Sequence, residues 1–350
     1  MTTSRRPLKM ADIAALASVS TSAVSLALND RPGVSEATRQ RILSIATELG
    51  WFPNAAARAL VGARAGTVGL VLTRPARDIG IEPFYMSFIA GLEAALSVQR
   101  TGLLLQFAQD EQAELDTYRR WVAEQRVDGL VLLDLRVNDP RPGLVRDMAI
   151  PFVVIGDPRY APGATAVWSD DGAAIAATVR RLVELGHRRL ARVSEQTTMA
   201  HTTIRNRAFV EACTGLDLPS PFVVEAAPSA VGSRSATHQL LTGTTRPTAI
   251  VYDNNIMAVA GLGVAHELGL VVPDHVSLVA YDDSVLCEST HPALSAISHD
   301  VHSYGEHAGR LLLDVIDGVD SEPSLDSVPR LIERGSTGPL RAPDPTLAGR

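Results

Sequence analysis

Histidines and cysteines are considered first, because these side chains most often bind metals or act as nucleophiles. Cys213 and Cys287 are the only cysteines, and they lack the paired spacing of a metal site. His299 and His302 could hold a metal in principle, but the run His-Asp-Val-His fits no zinc pattern. We therefore expect no metal centre and no cofactor.

Two common catalytic loops are also absent from the sequence. The chain contains no Gly-x-x-x-x-Gly-Lys-Ser/Thr phosphate-binding loop and no Gly-x-Ser-x-Gly nucleophile elbow. We therefore predict that the protein is not an enzyme.

The basic side chains are concentrated at the start of the chain. Residues 1–64 hold eight Arg or Lys and four Asp or Glu, so this head carries +4 and the rest −11 of a total of −7. A basic head on an acidic body is typical of a protein that presents one end to nucleic-acid phosphates. The candidates for phosphate contact are Arg5, Arg6, Lys9, Arg31, Arg39 and Arg58.

Three short helices would position the basic head. Ser20 and Ser35 each precede an apolar helical pattern, and either hydroxyl can accept a backbone N–H of the following first turn. Two short helices joined by a tight turn predict a helix-turn-helix, whose second helix enters the major groove of DNA. The predicted inward residues are Ile13, Leu16 and Ala17, then Val24 and Leu28, then Ile42, Ile45, Ala46 and Leu49.

Beyond residue 66, apolar strands alternate with helices, and the alternation restarts after a Pro/Gly-rich break at 158–163. The predicted strands are 68–72, 103–107, 128–133, 152–155, 190–193, 222–225, 248–251 and 276–280. The predicted helices are 87–98, 111–125, 171–185, 203–213, 232–242, 255–268 and 301–316. Such alternation indicates two doubly wound α/β lobes with a ligand cleft at the carboxyl ends of their strands.

The location of the protein is predicted from missing segments. No apolar run approaches the ~20 residues of a membrane helix, and no apolar segment follows the charged first residues as in a secretion signal. With two unpaired cysteines, these observations predict a cytoplasmic protein without membrane contact.

An ordered set of short motifs resembles the LacI/GalR family of bacterial transcriptional regulators. The motifs in the head are Val19-Ser20, Val24-Ser25, Leu28-Asn29, Val34-Ser35 with Thr38-Arg39, and Pro53-Asn54 with Leu60. The motifs in the body include Leu185-Gly-His-Arg188, Tyr281-Asp-Asp283, Pro292-Ala-Leu294 and Arg334-Gly-Ser-Thr337. The resemblance implies a DNA-binding head and a two-lobed effector domain like that of periplasmic binding proteins.

The resemblance also implies how DNA is bound. Leu26 stands where many relatives carry an arginine, and it would pack on a thymine methyl unless it belongs to the core of the head. The segment around Pro53 resembles the family's hinge helix, in which Leu60 would wedge into the minor groove; the alternative is a linker helix with Leu60 packed on the body. The implied DNA-binding residues are Arg5, Arg6, Lys9, Ser20, Thr21, Ser22, Ser25, Leu26, Asn29, Arg31, Asn54, Ala57, Arg58 and Leu60.

For the cleft, the resemblance implies that Arg205 and Asp282 hold a small polyol. A guanidinium can donate to two vicinal hydroxyls and a carboxylate can accept from two. The alternatives are a surface salt bridge for Arg205 and a turn cap for Asp282. Further implied contacts are Thr73, Phe84, Tyr85, Phe88, Asp157, Asn254 and His299.

The sequence therefore predicts a sequence-specific regulator, most simply a repressor, controlled by a sugar-like effector. It would act as a homodimer on a pseudo-palindromic operator, since the tail lacks leucine heptads. The alternatives are a two-lobed solute-binding protein without specific DNA readout and a regulator that needs a purine co-repressor. The expected divisions are a head at 1–52, a hinge and linker at 53–66, a first lobe at 67–162 with returns near 295–325, a second lobe at 163–294 with 326–337, and a disordered tail at 338–350.

Overall fold

The computed structural model describes residues 8–28, 31–51, 64–73, 82–227 and 229–341. The chain forms two compact units, Met1–Ala65 and Gly66–Arg350. Several residues predicted to bind DNA lie outside the described ones, so their predicted roles are not tested: Arg5, Arg6, Asn29, Asn54, Ala57, Arg58 and Leu60.

The described part of the head is a bundle of three short helices, α1 (Met10–Leu16), α2 (Thr21–Leu28) and α3 (Glu36–Glu48). Both predicted caps are confirmed. The Ala23 N–H donates to Ser20 Oγ at 3.2 Å, and the Thr38 N–H donates to Ser35 Oγ at 3.3 Å. The core of the bundle consists of Ile13, Ala14, Ala17, Val24, Ala27, Ile42 and Ala46.

One inward position differs from the prediction, because Leu16 is 61% exposed. Leu28, Ile45 and Leu49 are partly buried and pack against the core, as predicted. Ala14 and Ala27 are buried in the core, since the small alanine side chain lets short helices cross closely.

The body contains twelve strands and nine further helices among its described residues. The strands are β1 (Thr67–Leu72), β2 (Gly102–Phe107), β3 (Gly129–Leu132), β4 (Phe152–Ile155), β5 (Ala166–Ser169), β6 (Leu190–Ser194), β7 (Phe222–Glu225), β8 (Ala249–Tyr252), β9 (Ser277–Tyr281), β10 (Ser295–Ser298), β11 (Ser324–Ser327) and β12 (Arg330–Ile332). The helices are α4 (Pro83–Val98), α5 (Glu111–Ala123), α6 (Arg141–Asp147), α7 (Asp171–Glu184), α8 (Ala200–Gly215), α9 (Ala230–Thr242), α10 (Asn255–Glu267), α11 (Val285–Ser289) and α12 (Val301–Ile316).

The strands form two six-stranded sheets, one in each lobe. The first sheet has the order β11-β5-β4-β3-β1-β2, and all its pairs are parallel. The second has the order β12-β10-β9-β8-β6-β7, with only β12 antiparallel to its neighbour. The predicted pair of doubly wound lobes is confirmed.

The predicted divisions of the chain need correction in three places, two at lobe boundaries and one in the tail. The strand at 166–169 belongs to the first sheet although the boundary was placed at 162, and the strand at 295–298 belongs to the second sheet. The chain therefore passes between the sheets just after Ser169, Ser298 and Ser327. The passage after Ser169 could not be predicted, because a strand of four residues is too short to show an alternating pattern. The Pro/Gly-rich break at 158–163 contains a 3₁₀ turn at 158–160 and is not a passage between lobes.

The third correction concerns the predicted disordered tail at 338–350. Its described part, up to residue 341, is in contact with the body, because the Leu340 N–H donates to the Leu185 carbonyl at 2.8 Å.

Helix α12 packs against α4 in the first lobe, as its predicted return implies. Glycines make this approach possible. A Cβ at Gly91 would overlap the His302 carbonyl oxygen, and one at Gly305 would overlap the Phe88 carbonyl oxygen. The two helix backbones are thus in direct contact.

None of the described helices is by itself long and apolar enough to cross a membrane. Only α1 and α2 taken together, bent by 103° at their junction, reach that length and composition.

Candidate functional site

A cleft of about 810 Å³, partly open to solvent, lies between the two lobes. Most of its walls are the carboxyl ends of strands, as predicted for doubly wound sheets. These strand-end residues are Leu133, Asp134, Leu135, Ile155, Gly156, Asp157, Ser169, Glu195, Asp253, Asn254, Asp282 and His299. The helices and their flanks add Glu82, Phe84, Tyr85, Asp171, Ala200, His201, Ile204, Arg205 and Tyr304.

Arg205 lies on α8 and is held on three sides. Its Nε donates to Asp171 Oδ2 at 2.7 Å, and its Nη1 lies 3.4 Å from Asp253 Oδ1. Its guanidinium carbon is 3.5 Å from the centroid of the Tyr281 ring, a cation–π contact. With only 9% of its surface exposed, Arg205 is not a surface salt bridge. Burial lowers the pKa of Arg205, but Asp171 and its other acidic neighbours outweigh burial and raise it, so the group stays charged.

Asp253 anchors this arrangement, although sequence reasoning missed it. Its carboxylate pairs with Arg192, which is fully buried, and accepts from the Glu195 N–H at 2.9 Å and Thr202 Oγ1 at 3.0 Å. Burial raises the pKa of Asp253, but Arg192 and Arg205 outweigh it and hold the pKa well below its usual range. The available signal was its position directly after the buried strand β8.

Asp282 follows β9 with a left-handed backbone, at φ 62°. Its main-chain carbonyl accepts from Asn255 Nδ2 at 3.2 Å, and burial raises the pKa of its carboxyl group. The capping alternative is not supported, because Asp283 accepts the Ser284 N–H and also binds Arg334 at 2.7 Å. The Asp282 carboxylate faces the cleft.

Of the other predicted contacts, five line the cleft, namely Phe84, Tyr85, Asp157, Asn254 and His299. Three of these also have structural partners. The Asp157 carboxylate binds the Arg159 guanidinium. The Tyr85 hydroxyl donates to Asp134 Oδ2 at 2.8 Å, and Asn254 caps α10 through the Met257 N–H at 2.8 Å.

Two predicted contacts lie outside the cleft. Thr73 Oγ1 donates to Glu114 Oε2 at 2.7 Å beneath the sheet edge. Phe88 is fully buried in the first-lobe core, 6.1 Å from the Phe84 ring and 5.8 Å from the Tyr304 ring. Phe88 lies on the buried face of α4, together with Tyr85 and Leu92, and therefore packs in the core rather than in the cleft.

Sequence reasoning also missed polar cleft residues that come from α7 and α8. Asp171 opens α7 and binds Arg205, and His201 lies one helical turn before Arg205. Burial and the charge of Arg205 lower the pKa of His201, so its neutral ring can both donate and accept.

In the head, α2 exposes its first turn. Ser20, Thr21 and Ser22 are exposed, whereas Val24 and Ala27 face the core. Leu26 is half-buried against the turn at Gly33, where an added Cβ would lie 2.9 Å from Leu26 Cδ1.

Among the charged head residues, Lys9 and Arg31 are exposed, as phosphate contact requires. Arg39 differs from its prediction, because its Nη2 donates to the Arg31 carbonyl at 3.0 Å and only 14% of its side chain is exposed. It therefore ties α3 to the preceding loop.

Comparisons with known proteins agree with both units. A family model described as bacterial regulatory proteins, lacI family, matches residues 9–54, and one described as a periplasmic binding protein-like domain matches residues 179–337. The regulator CelR of Thermobifida fusca is 33% identical over 325 residues, covering 91% of this chain and 94% of the relative.

The chain belongs to the LacI family. The repressor PurR of Yersinia pestis bv. Antiqua is 30% identical over 339 residues, covering 94% of this chain and 97% of the relative. A solved CelR–cellobiose complex aligns with a TM-score of 0.72 at 28% identity, over 95% of this chain and 100% of that one. Membership makes the protein a DNA-binding transcriptional regulator, and the LacI head argues against a solute-binding protein without DNA readout. The named family members are regulators rather than enzymes.

Proposed function

We propose that this LacI-family protein is a repressor that binds its operator as a homodimer and is controlled by a neutral, hydroxyl-rich effector, a small sugar, held between its lobes. The observation that carries the proposal is that a fixed guanidinium, Arg205, and the carboxylate of Asp282 face one cleft. This pair offers donors and acceptors to neighbouring hydroxyl groups of one ring. The Phe84 ring lines the same cleft and offers an apolar surface to the opposite side of a sugar.

The charge of the cleft favours a neutral ligand over an acidic one. Among the described residues, its walls carry seven carboxyl groups but one arginine, Arg205. Arg159 and Arg192 pair with Asp157 and Asp253 and reduce this negative charge, but the seven carboxyl groups still outnumber the three arginines. An anion such as a sugar phosphate would meet like charge, which costs binding energy.

The effector acts on DNA through the segment between the two units. Closure of the lobes around the ligand changes the spacing of the two hinge segments in the dimer, which contain Asn54, Ala57, Arg58 and Leu60. The effector site and the operator site thus bias one two-state element. Exposed Thr21 and Ser22, with Leu26, read the bases, with Ser25 on the same helix. Ser20 lies near the DNA backbone, and Lys9 and Arg31 contact phosphates.

The test begins with selection of bound duplexes from a random DNA pool by the full-length protein at a stated moderate salt concentration. Cellobiose is the first ligand to titrate, because the CelR relative was solved with it. Other disaccharides, one disaccharide phosphate and hypoxanthine complete the series.

A pseudo-palindromic operator, whose affinity changes with a neutral sugar but not with its phosphate, is the expected result. Arg205→Lys should weaken sugar binding about tenfold or more, because lysine cannot donate in a bidentate fork. Response to hypoxanthine alone would instead identify a purine-dependent regulator, and recovery of no sequence would overturn specific DNA readout.

A further inference from the structure

Beside the cleft, the two lobes are joined by a short stretch of paired backbone. Residues 135–137 of the first lobe run antiparallel to residues 198–200 of the second, with Arg136 opposite Met199. The Ala200 N–H donates to the Leu135 carbonyl at 2.8 Å, and the Val137 N–H donates to the Thr198 carbonyl at 2.9 Å. We propose that this inter-lobe bridge is a latch that stabilises the closed cleft relative to the open one, and that Arg141 is the residue that positions it.

The bridge differs from the other connections between the lobes. The three chain passages, after Ser169, Ser298 and Ser327, are covalent and cannot separate. The bridge is held by hydrogen bonds, which can exchange with water when the cleft opens. It is therefore a reversible connection between the lobes, unlike the three passages.

The first-lobe side of the bridge is held in shape by buried charges. Arg141, 1% exposed, donates to the Leu133 carbonyl at 2.9 Å and to the Asp134 carbonyl at 2.8 Å. The same guanidinium binds Glu114 Oε1 at 2.7 Å and Asp139 Oδ2 at 2.6 Å. Because this buried arginine binds two carboxylates and two backbone carbonyls, it holds the loop that follows β3 in place through contacts within the first lobe.

The backbone of this loop supports the same conclusion. Asp134 and Asn138 both have left-handed backbones, at φ 54° and 60°. Left-handed backbones cost free energy and persist where surrounding contacts stabilise them. Here Arg141 binds the Asp134 carbonyl, and Asp139 binds the Arg136 N–H. The Arg136 N–H donates to Asp139 Oδ2 at 3.1 Å, so the bridging residue itself is anchored.

The second-lobe side of the bridge leads directly into the ligand residues. Ala200 is the first residue of α8, and His201 and Arg205 follow on the same helix. Leu135 and Ala200 themselves line the cleft. The bridge therefore fixes the distance between α8 and the first-lobe wall.

Loss of one bridge hydrogen bond should raise the open-to-closed ratio about tenfold, since a net backbone hydrogen bond stabilises by roughly that factor. The latch does not depend on the identity of the effector. It can be tested in the ligand-free protein, so that failure of the sugar proposal and failure of the latch give different results.

Ala200→Pro removes the bridge donor with little cost to the helix. Proline is well tolerated at the first position of a helix, and the preceding Met199 already has the extended backbone that proline requires, at φ −83° and ψ 135°. Ala230→Pro is the control for a proline at the start of a helix, because Ala230 opens α9 after an extended Ser229, at φ −151° and ψ 156°. Ala230 is exposed whereas Ala200 is buried, so Asp139→Asn is measured beside both as a variant that adds no bulk at the bridge.

The inter-lobe distance is measured by pulsed electron spin resonance between labels at Arg119→Cys on α5 and Glu184→Cys on α7. Both side chains are about half exposed or more, at 49% and 65%. Cys213 and Cys287 should stay unlabelled, since both are fully buried and burial raises the pKa of each thiol to about 11. Labelled chains are diluted with unlabelled ones so that distances within one chain dominate.

Without effector, the parent protein and Ala230→Pro should show the same distribution of inter-lobe distances, and in Ala200→Pro a larger share of the molecules should have the longer distance. An unchanged distribution in folded Ala200→Pro, or an equal change in the control, would overturn the latch. If Ala200→Pro does not fold, Asp139→Asn decides, because it weakens the Arg141 clamp and leaves both bridge strands unaltered. A longer population in Asp139→Asn supports the proposal, and its absence contradicts it.

Discussion

At the scale of single residues, two carboxyl groups of the cleft, Asp253 and Asp282, have pKa values shifted in opposite directions. Asp253 is stabilised as an anion by Arg192 and Arg205, so its carboxylate organises the site. Asp282 is half-buried with a raised pKa, and no described residue donates a hydrogen bond to its carboxylate. Such a group destabilises the empty protein and gains a partner when ligand hydroxyls arrive.

Asp282→Asn should therefore stabilise the ligand-free protein at neutral pH while weakening effector binding. Asparagine accepts the left-handed backbone at this position as readily as aspartate does. The expected gain in the free energy of unfolding is roughly 1 kcal/mol, a common size for replacement of a strained functional residue.

The difference in unfolding free energy between Asp282→Asn and the parent protein should depend on pH. A carboxyl whose folded pKa is raised costs stability only above its unfolded pKa of 3.8, and the cost grows until the pH passes the folded pKa. Denaturant unfolding of both proteins across this range should show curves that meet at acid pH and separate as the pH rises. Curves that stay parallel would contradict the assignment.

At the scale of elements, the long helices and the buried strands could be predicted, because their periodic patterns are strong. β4, α12 and β7 were predicted with the bounds that the structure shows. The short strands β5, β10, β11 and β12 were missed, since three or four residues carry too little pattern and are fixed by pairing with distant strands.

The same limit explains the site predictions. Residues at strand ends, such as Asp157 and Asp282, could be placed at the cleft from the topology alone. Thr73 and Phe88 could not be excluded, because Thr73 is held by the distant residue Glu114 and Phe88 by packing in the first-lobe core. Asp253 follows a buried strand and could have been placed at the cleft in the same way, but its role as the anchor depends on Arg192, which is 61 residues away in the sequence.

The contact between α4 and α12 allows a prediction for one glycine. Gly305→Ala should destabilise the body by roughly 1–3 kcal/mol, because its Cβ would overlap the Phe88 carbonyl and neither backbone can yield. Gly143→Ala on α6 is the matched control, with open space around the added methyl, and should be neutral or slightly stabilising. Thermal unfolding of both variants provides the measurement, and equal melting temperatures would contradict the close packing.

At the scale of the whole molecule, the proposed function gives the basic head and the acidic body separate binding roles. The body contains the cleft proposed for the effector, and the head exposes the side chains proposed to contact bases and phosphates. The proposed coupling runs through residues 53–66, which lie largely outside the described ones. Only a measurement on the full chain can test it.

Leu60→Ala should abolish tight operator binding and leave effector affinity unchanged, because the proposed wedge acts on DNA alone. Operator affinity by fluorescence anisotropy and effector affinity by calorimetry are compared on the same preparation. Unchanged operator binding would show that Leu60 packs elsewhere, and loss of both affinities would show that it supports the body.

The passages between the lobes have a consequence for the evolution and redesign of this protein. Asp171 follows the first passage and His299 lies on the second, so both cleft residues belong to the segments about which the lobes turn. Substitutions there would change both the preferred ligand and the effect of that ligand on operator affinity. A library of such variants would yield sensors in which these two properties cannot be changed independently. Positions at strand ends farther from the passages, such as Glu195 after β6, lie away from these segments, because β8 and β9 separate β6 from β10. They are the better starting points for a biosensor with a new ligand and an unchanged response.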